Sequence, residues 1–97
     1  SGGHIENVYR LQIMNAAEKR QHFRIVASGM NDLKVLTDAE DLVVESTQSR
    51  WVTVRLQVPY DAAVSGKYPI LFTIEAFEDT EKVGEKLEEK SIFLIPR

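Results

Sequence analysis

The chain has 97 residues, of which 43% are hydrophobic and 28% charged, and its formal net charge is −3. This length fits one domain with a single core, and the balance of apolar and charged residues is typical of a folded globular chain. The sequence contains no cysteine, which excludes disulfides, thiolate nucleophiles and cysteine-ligated clusters. The weakly acidic balance gives no electrostatic reason to expect a nucleic acid as partner. No apolar run approaches the ~18 residues that a membrane span requires.

Alternation of apolar and polar residues dominates the chain, and this period of two is the signature of half-buried strands. The alternating sets are Tyr9, Leu11 and Ile13; Phe23, Ile25 and Ala27; Val52, Val54, Leu56 and Val58; and Tyr68, Ile70, Phe72, Ile74 and Ala76. Shorter apolar pieces lie at 33–36 and 42–45, and a last strand is expected at about 90–95. Such spacing predicts an all-β chain, an Ig-like β-sandwich of about seven antiparallel strands. We assign residues 1–4 to a flexible lead-in and residues 5–97 to a single Ig-like domain.

Charge is concentrated in residues 78–90, which hold six acids and three lysines and therefore account for the whole net charge. Only Val83 and Leu87 are apolar side chains of any size in this segment, and Gly84 lies in its middle. Alternating charges of both signs are typical of a solvated segment. We therefore expect 78–90 to form a long charged connection between the last two strands.

A local motif at 65–70 sharpens the fold prediction. Gly66, Tyr68 and Ile70 have the spacing of the tyrosine corner of immunoglobulin-like domains, in which a tyrosine hydroxyl bonds back to the preceding loop. The alternative is an ordinary tyrosine at the start of a strand, beside a turn glycine.

No catalytic or cofactor-binding residue is predicted. The sequence lacks a nucleophile elbow, an HExxH motif and a P-loop. His22 shares strand parity with Arg24, so we expect it to face solvent with no carboxylate to orient it. Without two convergent titrating groups there is no acid–base pair to propose.

Metal binding is kept as an alternative. His4, Met14, His22 and Met30 are of the ligand types that suit copper, but no two of them have a tight ligand spacing. The primary prediction is therefore that the chain has no metal ligand, and these four residues are the alternative set.

Binding to a partner protein is the function that remains open from the residues alone, because the edge strands of a sandwich can accept a further strand. Val26, Leu71 and Phe77 fall on the opposite parity to the core residues of their strands. Loops cover these three side chains, or they form a contact surface; the first interpretation is favoured.

The block Ile5-Glu6-Asn7-Val8-Tyr9-Arg10-Leu11-Gln12-Ile13-Met14-Asn15 resembles the opening of the C-terminal Ig-like domain of the FixG family, also called CcoG, the cytochrome c oxidase accessory proteins. The similarity continues at 23–25, Gly29 and 56–59, and again at 65–70 and 89–94, so it spans essentially the whole chain. Ile95 and Pro96 stand where the family often has a Gly-Pro pair.

This resemblance implies a parent protein with several membrane-spanning helices and two [4Fe–4S] clusters, whose cysteines lie outside this chain. It further implies a role in assembling a copper–haem terminal oxidase, in copper handling or electron transfer, with this domain on the periplasmic side of the bacterial inner membrane. The expected partner is a protein, either an oxidase subunit or a copper-delivery protein. A copper-binding domain that uses His and Met ligands and a purely structural cap are the alternatives.

Overall fold

Seven strands and no helix build the part of the chain that the computed structural model describes, residues 3–38 and 41–97. The strands are β1 (His4–Met14), β2 (Gln21–Ser28), β3 (Lys34–Thr37), β4 (Leu42–Val44), β5 (Ser49–Pro59), β6 (Gly66–Glu78) and β7 (Glu81–Ile95). They form a three-stranded sheet in the order β1-β5-β3 and a four-stranded sheet in the order β4-β2-β6-β7, with every pairing antiparallel. The predicted all-β sandwich is confirmed. None of the described segments is a helix of the length and hydropathy that could cross a membrane.

The boundaries at the amino end differ slightly from the prediction. β1 begins at His4, inside the range assigned to the lead-in, and the carbonyl of Gly3 accepts a 2.9 Å hydrogen bond from the amide of Tyr60. Residues 1 and 2 of the lead-in lie outside the described residues.

β5 is the centre of the three-stranded sheet, and its alternation is the clearest in the chain. Val52, Val54, Leu56 and Val58 have no exposed surface, whereas Trp51 and Arg55 face solvent. In the opposite sheet, Phe72 of β6 and Phe93 of β7 also point into the core and are fully buried. The ring of Tyr9 meets the ring of Phe72 edge-on, with centroids 5.1 Å apart. The core is therefore made of the inward residues of both sheets, as the pattern predicts.

The segment 78–90 is not the charged connection that the sequence predicts. The turn between β6 and β7 is only Asp79 and Thr80, and β7 begins at Glu81. β7 pairs with β6 along its length, with a bulge where Ile74 lies opposite Leu87 and Ala76 opposite Val83. Gly84 lies in this bulge with φ of +67°, a conformation that favours glycine. The charged residues thus stand on an edge strand, where charge discourages uncontrolled pairing.

Two side chains of β1 bond to the edge of β7, and we call this pair the edge clasp. The side-chain amide of Asn7 donates to the carbonyl of Leu94 (3.0 Å) and its oxygen accepts from the amide of Leu94 (2.9 Å). The hydroxyl of Tyr9 donates to the carbonyl of Ile92 (2.9 Å). Burial raises the pKa of Tyr9, which keeps this donor protonated. The clasp joins the two sheets along the upper half of this side, the end where β1 begins.

A buried asparagine organises the opposite end. Asn15 is 2% exposed, and its side chain bonds to the carbonyls of Lys19 (2.8 Å) and Val44 (2.9 Å) and to the amide of Ala17 (2.9 Å). These bonds use both N–H donors of the side-chain amide and one acceptor site of its oxygen, and they fix the turn that leads from β1 to β2.

The tyrosine corner is confirmed. The hydroxyl of Tyr68 donates a 2.6 Å hydrogen bond to the carbonyl of Val64 in the preceding loop. Gly66 lies beside this ring, since a Cβ there would be 3.7 Å from it. The corner therefore ties the start of β6 to the loop that crosses from the other sheet.

Replacing Tyr68 by phenylalanine should lower the free energy of unfolding by about 0.5–1.5 kcal/mol, the net value of one hydrogen bond. The denaturant midpoint should fall while the slope of the transition stays unchanged. Tyr60→Phe is the matched control, because Tyr60 is 69% exposed and should leave the midpoint within error. Equal midpoints for wild type and Tyr68→Phe would show that the corner bond does not stabilise the fold.

Candidate functional site

Below the edge clasp the two sheets separate, and a groove runs between β1 and β7. We call it the open seam. Two adjoining depressions of about 260 and 300 Å³ form it, and Ile74 lines both. Its apolar lining includes Leu11 and Met14 of β1, Ile74 and Ala76 of β6, and Val83 and Leu87 of β7.

Leu87 shows why the seam is open. It lies opposite the buried Ile74 in the β6–β7 register, so its side chain points to the inner face of the sheet. Nevertheless it is 63% exposed. The reason is that the four-stranded sheet faces a sheet of only three strands, which leaves the lower part of β7 without a strand opposite it. Met14, at the other wall, is 69% exposed.

The wall on the β1 side presents a backbone edge. Arg10, Leu11 and Gln12 all line the same depression. Successive residues of a strand point to opposite faces, so three in a row can border one groove only along the edge of the strand that they share. The edge of β1 thus opens into the seam.

The upper rim of the seam combines an aromatic ring with charges. The guanidinium of Arg10 lies 5.0 Å from the centroid of the Trp51 ring, within the range of a cation–π contact. Glu89 of β7 lines the same depression. Trp51 is itself 55% exposed, so the rim offers a large apolar surface beside one charge of each sign.

A second groove, of about 500 Å³, lies on the other side of the sandwich, between β2 and β3. Ile25, Val35 and Leu42 line it, and so do His22 and Asp41. Nδ1 of His22 is 2.8 Å from Oδ1 of Asp41, so the expectation that His22 has no carboxylate to orient it is wrong. Asp41 directly precedes β4, and the antiparallel pairing of β4 with β2 brings it beside His22. The side chain of His22 is 42% exposed and that of Asp41 is 66% exposed.

The outer face of the four-stranded sheet is charged at its lower end. Nζ of Lys82 lies 2.7 Å from Oε2 of Glu75, and this hydrogen bond holds the pKa of Glu75 below its ordinary value, with smaller contributions from the charges of Lys82, Arg24 and Lys86. The guanidinium of Arg24 lies 5.0 Å from the ring of Phe77, which is half-buried. Val26, in contrast, is 41% exposed, so the prediction that a loop covers it is wrong.

The fold divides the four alternative metal ligands between the two ends of the sandwich. His4 and Met14 are the first and last residues of β1, roughly 33 Å apart at about 3.3 Å per residue. His22 lies at the start of β2, at the same end as Met14, and Met30 follows the end of β2, at the same end as His4. In the part of the chain that the structure describes, no three His, Cys, Asp or Glu residues gather as a metal site.

The sequence pattern did not point to the residues of the open seam. Leu87 and Val83 fall in a segment that resembles a solvated connection, because the inner positions that follow them are the polar Glu89 and Ser91. Those positions are polar for a structural reason, namely that no strand covers them. The signal that would have indicated the site is a leucine that points to the inner face of an edge strand where no opposing strand covers it.

A family model described as "IG-like fold at C-terminal of FixG, putative oxidoreductase" matches residues 1–96. This match covers nearly the whole chain. The chain belongs to the FixG C-terminal Ig-like family.

Among solved structures, the FixG domain is similar to a FixG-related protein from Vibrio parahaemolyticus, known from its crystal structure. The TM-score is 0.79 at 22% sequence identity, over 96% of this chain and 81% of the Vibrio chain. At that identity the likeness concerns the fold, and it supports the Ig-like sandwich described above. The comparison with curated proteins gave no match.

The placement of His4, Met14, His22 and Met30 generates a prediction about copper. A tight site needs two or three ligands that converge, and the fold brings at most two of these four to one end. We expect calorimetric titration of the FixG domain with Cu(I) and with Cu(II) to show no one-to-one binding at sub-micromolar concentration. Such binding, abolished by His22→Ala or by Met30→Ala, would contradict the prediction and favour the copper-site alternative.

Proposed function

We propose that this chain is the docking domain of a membrane-bound FixG-type oxidoreductase, and that it binds a protein partner without chemistry of its own. The observation that carries the proposal is the open seam, in which Leu87 points to the inner face of the sandwich and is still 63% exposed. The family description supports a parent that is an oxidoreductase.

The energetics of the seam favour a contact surface. Burying a whole leucine or methionine side chain stabilises a complex by about 1.5–3 kcal/mol, and more than half of Leu87 and Met14 remains to be buried. A partner that covers both would therefore gain roughly 2–4 kcal/mol from these two side chains. Contiguous apolar surface that stays exposed on a folded domain is typical of a protein-interaction site.

The partner and place follow from the family resemblance. In this proposal the domain lies on the periplasmic side of the bacterial inner membrane, next to the spanning helices of its parent. The parent binds two [4Fe–4S] clusters through cysteines outside this chain and serves the assembly of a copper–haem terminal oxidase by handling copper or electrons. The docked protein is an oxidase subunit or a copper-delivery protein, and the domain contributes position rather than redox chemistry.

The test compares two substitutions with the same change in charge. Leu87→Lys places a charge in the seam, whereas Val8→Lys places one on the outer face of β1, where Val8 is 60% exposed. Each is introduced into the full-length membrane protein in cells that make the copper–haem oxidase. We expect Leu87→Lys to lower oxidase activity in isolated membranes at least threefold, and Val8→Lys to leave it unchanged.

Two measurements separate docking from a folding defect. The amount of parent protein in the membrane is followed by immunoblot, and the thermal midpoint of each isolated variant domain is compared with wild type. Both variants should match wild type, because both positions are largely exposed. Normal oxidase activity with Leu87→Lys, at normal protein level, contradicts the docking function.

A further inference from the structure

We propose that the open seam is a strand-acceptor site, in which β1 pairs with an extended segment of the partner protein that carries apolar side chains at alternate positions and a net positive charge. This inference rests on the proposed docking function and specifies its mode. It makes the partner segment the missing fourth strand of the three-stranded sheet.

The backbone of β1 provides the acceptor. Among the described residues, β1 has one strand partner, β5, which pairs with it from His4 to Met14. On its other side the edge clasp contacts β7 only through Asn7 and Tyr9. Below the clasp, Arg10, Leu11 and Gln12 line the seam together, so the amides and carbonyls of that edge face open space. Unpaired strand edges of this kind bind extended peptides through main-chain hydrogen bonds.

A strand added to the edge of β1 would lie in the open seam. A strand added to β1 lies about 4.8 Å from it and about 10 Å from the opposing sheet, which is the position that faces the lower part of β7. The inward side chains of the added strand would cover Leu87 and Val83. The alternate side chains of the added strand would face solvent. The alternation required of the ligand therefore follows from the apolar floor of the seam.

The negative charge of β7 favours a positively charged segment of a partner protein over a second copy of this chain as the occupant of the seam. β7 and the turn before it hold five acids and three lysines, a net charge of −2 out of the chain's −3, and Glu89 lines the seam itself. Two copies joined along β1 would bring two such acidic strands together, and like charges at an interface oppose association. A segment with lysine or arginine beside its apolar residues would instead be attracted to this wall.

The experiment titrates the 97-residue chain with a capped nine-residue peptide of alternating valine and threonine, with a lysine at each end. Binding is measured by calorimetry, and amide hydrogen exchange is followed by NMR in the same samples. We expect exchange to slow at least tenfold at alternate residues within 10–14 of β1. Leu87→Lys should weaken the affinity at least tenfold, and Val8→Lys, with the same charge change, should alter it less than twofold.

Two further peptides test the chemistry of the ligand. Glutamates in place of the terminal lysines should weaken binding at least tenfold at low salt, and this difference should shrink at high salt as the charges are screened. A proline in place of the central valine removes a backbone donor and should abolish binding.

The outcomes separate this inference from the docking function. Absence of binding at millimolar peptide, protection of β2 rather than β1, or dimerisation of the chain without peptide overturns the strand-acceptor site. If Leu87→Lys impairs oxidase assembly in membranes while the peptide leaves the β1 amides unprotected, the docking function stands and strand addition is wrong. If the peptide protects β1 but Leu87→Lys leaves assembly unchanged, the acceptor site stands and the proposed function is wrong.

Discussion

The edge clasp between β1 and β7 decides where this sandwich is closed and where it stays open. The side-chain amide of Asn7 bonds to Leu94 as the backbone of a paired strand would, because it both donates to and accepts from the backbone of Leu94. The hydroxyl of Tyr9 adds a third bond, to the carbonyl of Ile92. Each such bond contributes about 0.5–1.5 kcal/mol net to the stability of the fold. Together the three bonds connect β1, at the edge of one sheet, to β7, at the edge of the other. Beyond Tyr9 there is no further bond between the described parts of β1 and β7, and the open seam begins there.

The unequal size of the two sheets explains the rest of the site. A sheet of three strands opposite a sheet of four leaves one strand partly uncovered, and β7 is that strand. Charged side chains along much of β7 discourage uncontrolled pairing of this edge strand. Leu87 nevertheless points to the inner face of the sheet. An exposed leucine in a groove beside an open backbone edge is a combination typical of binding surfaces. These features of the seam are the ones on which the proposed docking function rests.

The sequence predicts the parts of the fold that are buried on one face and solvated on the other. Alternation located β5 because its four inward residues, from Val52 to Val58, are fully buried whereas Arg55 between them is exposed. The spacing of Gly66 and Tyr68 predicted the corner bond. Alternation failed for residues 81–90 of β7, because most of the described side chains there are exposed on both faces of the strand. The alternation pattern also cannot predict contacts between distant segments, such as the contact between His22 and Asp41.

In the proposed function this domain is part of a membrane-bound FixG-type protein, and hydrogen–deuterium exchange on that protein would test the docking account most directly. Exchange is compared in membranes that contain the copper–haem oxidase and its copper-delivery protein and in membranes that lack both. The account predicts slower exchange at residues 10–14 of β1 and 83–90 of β7 when these proteins are present, with no change at β3 and β4. Unchanged exchange along the open seam, with protection at the groove between β2 and β3 instead, would contradict it.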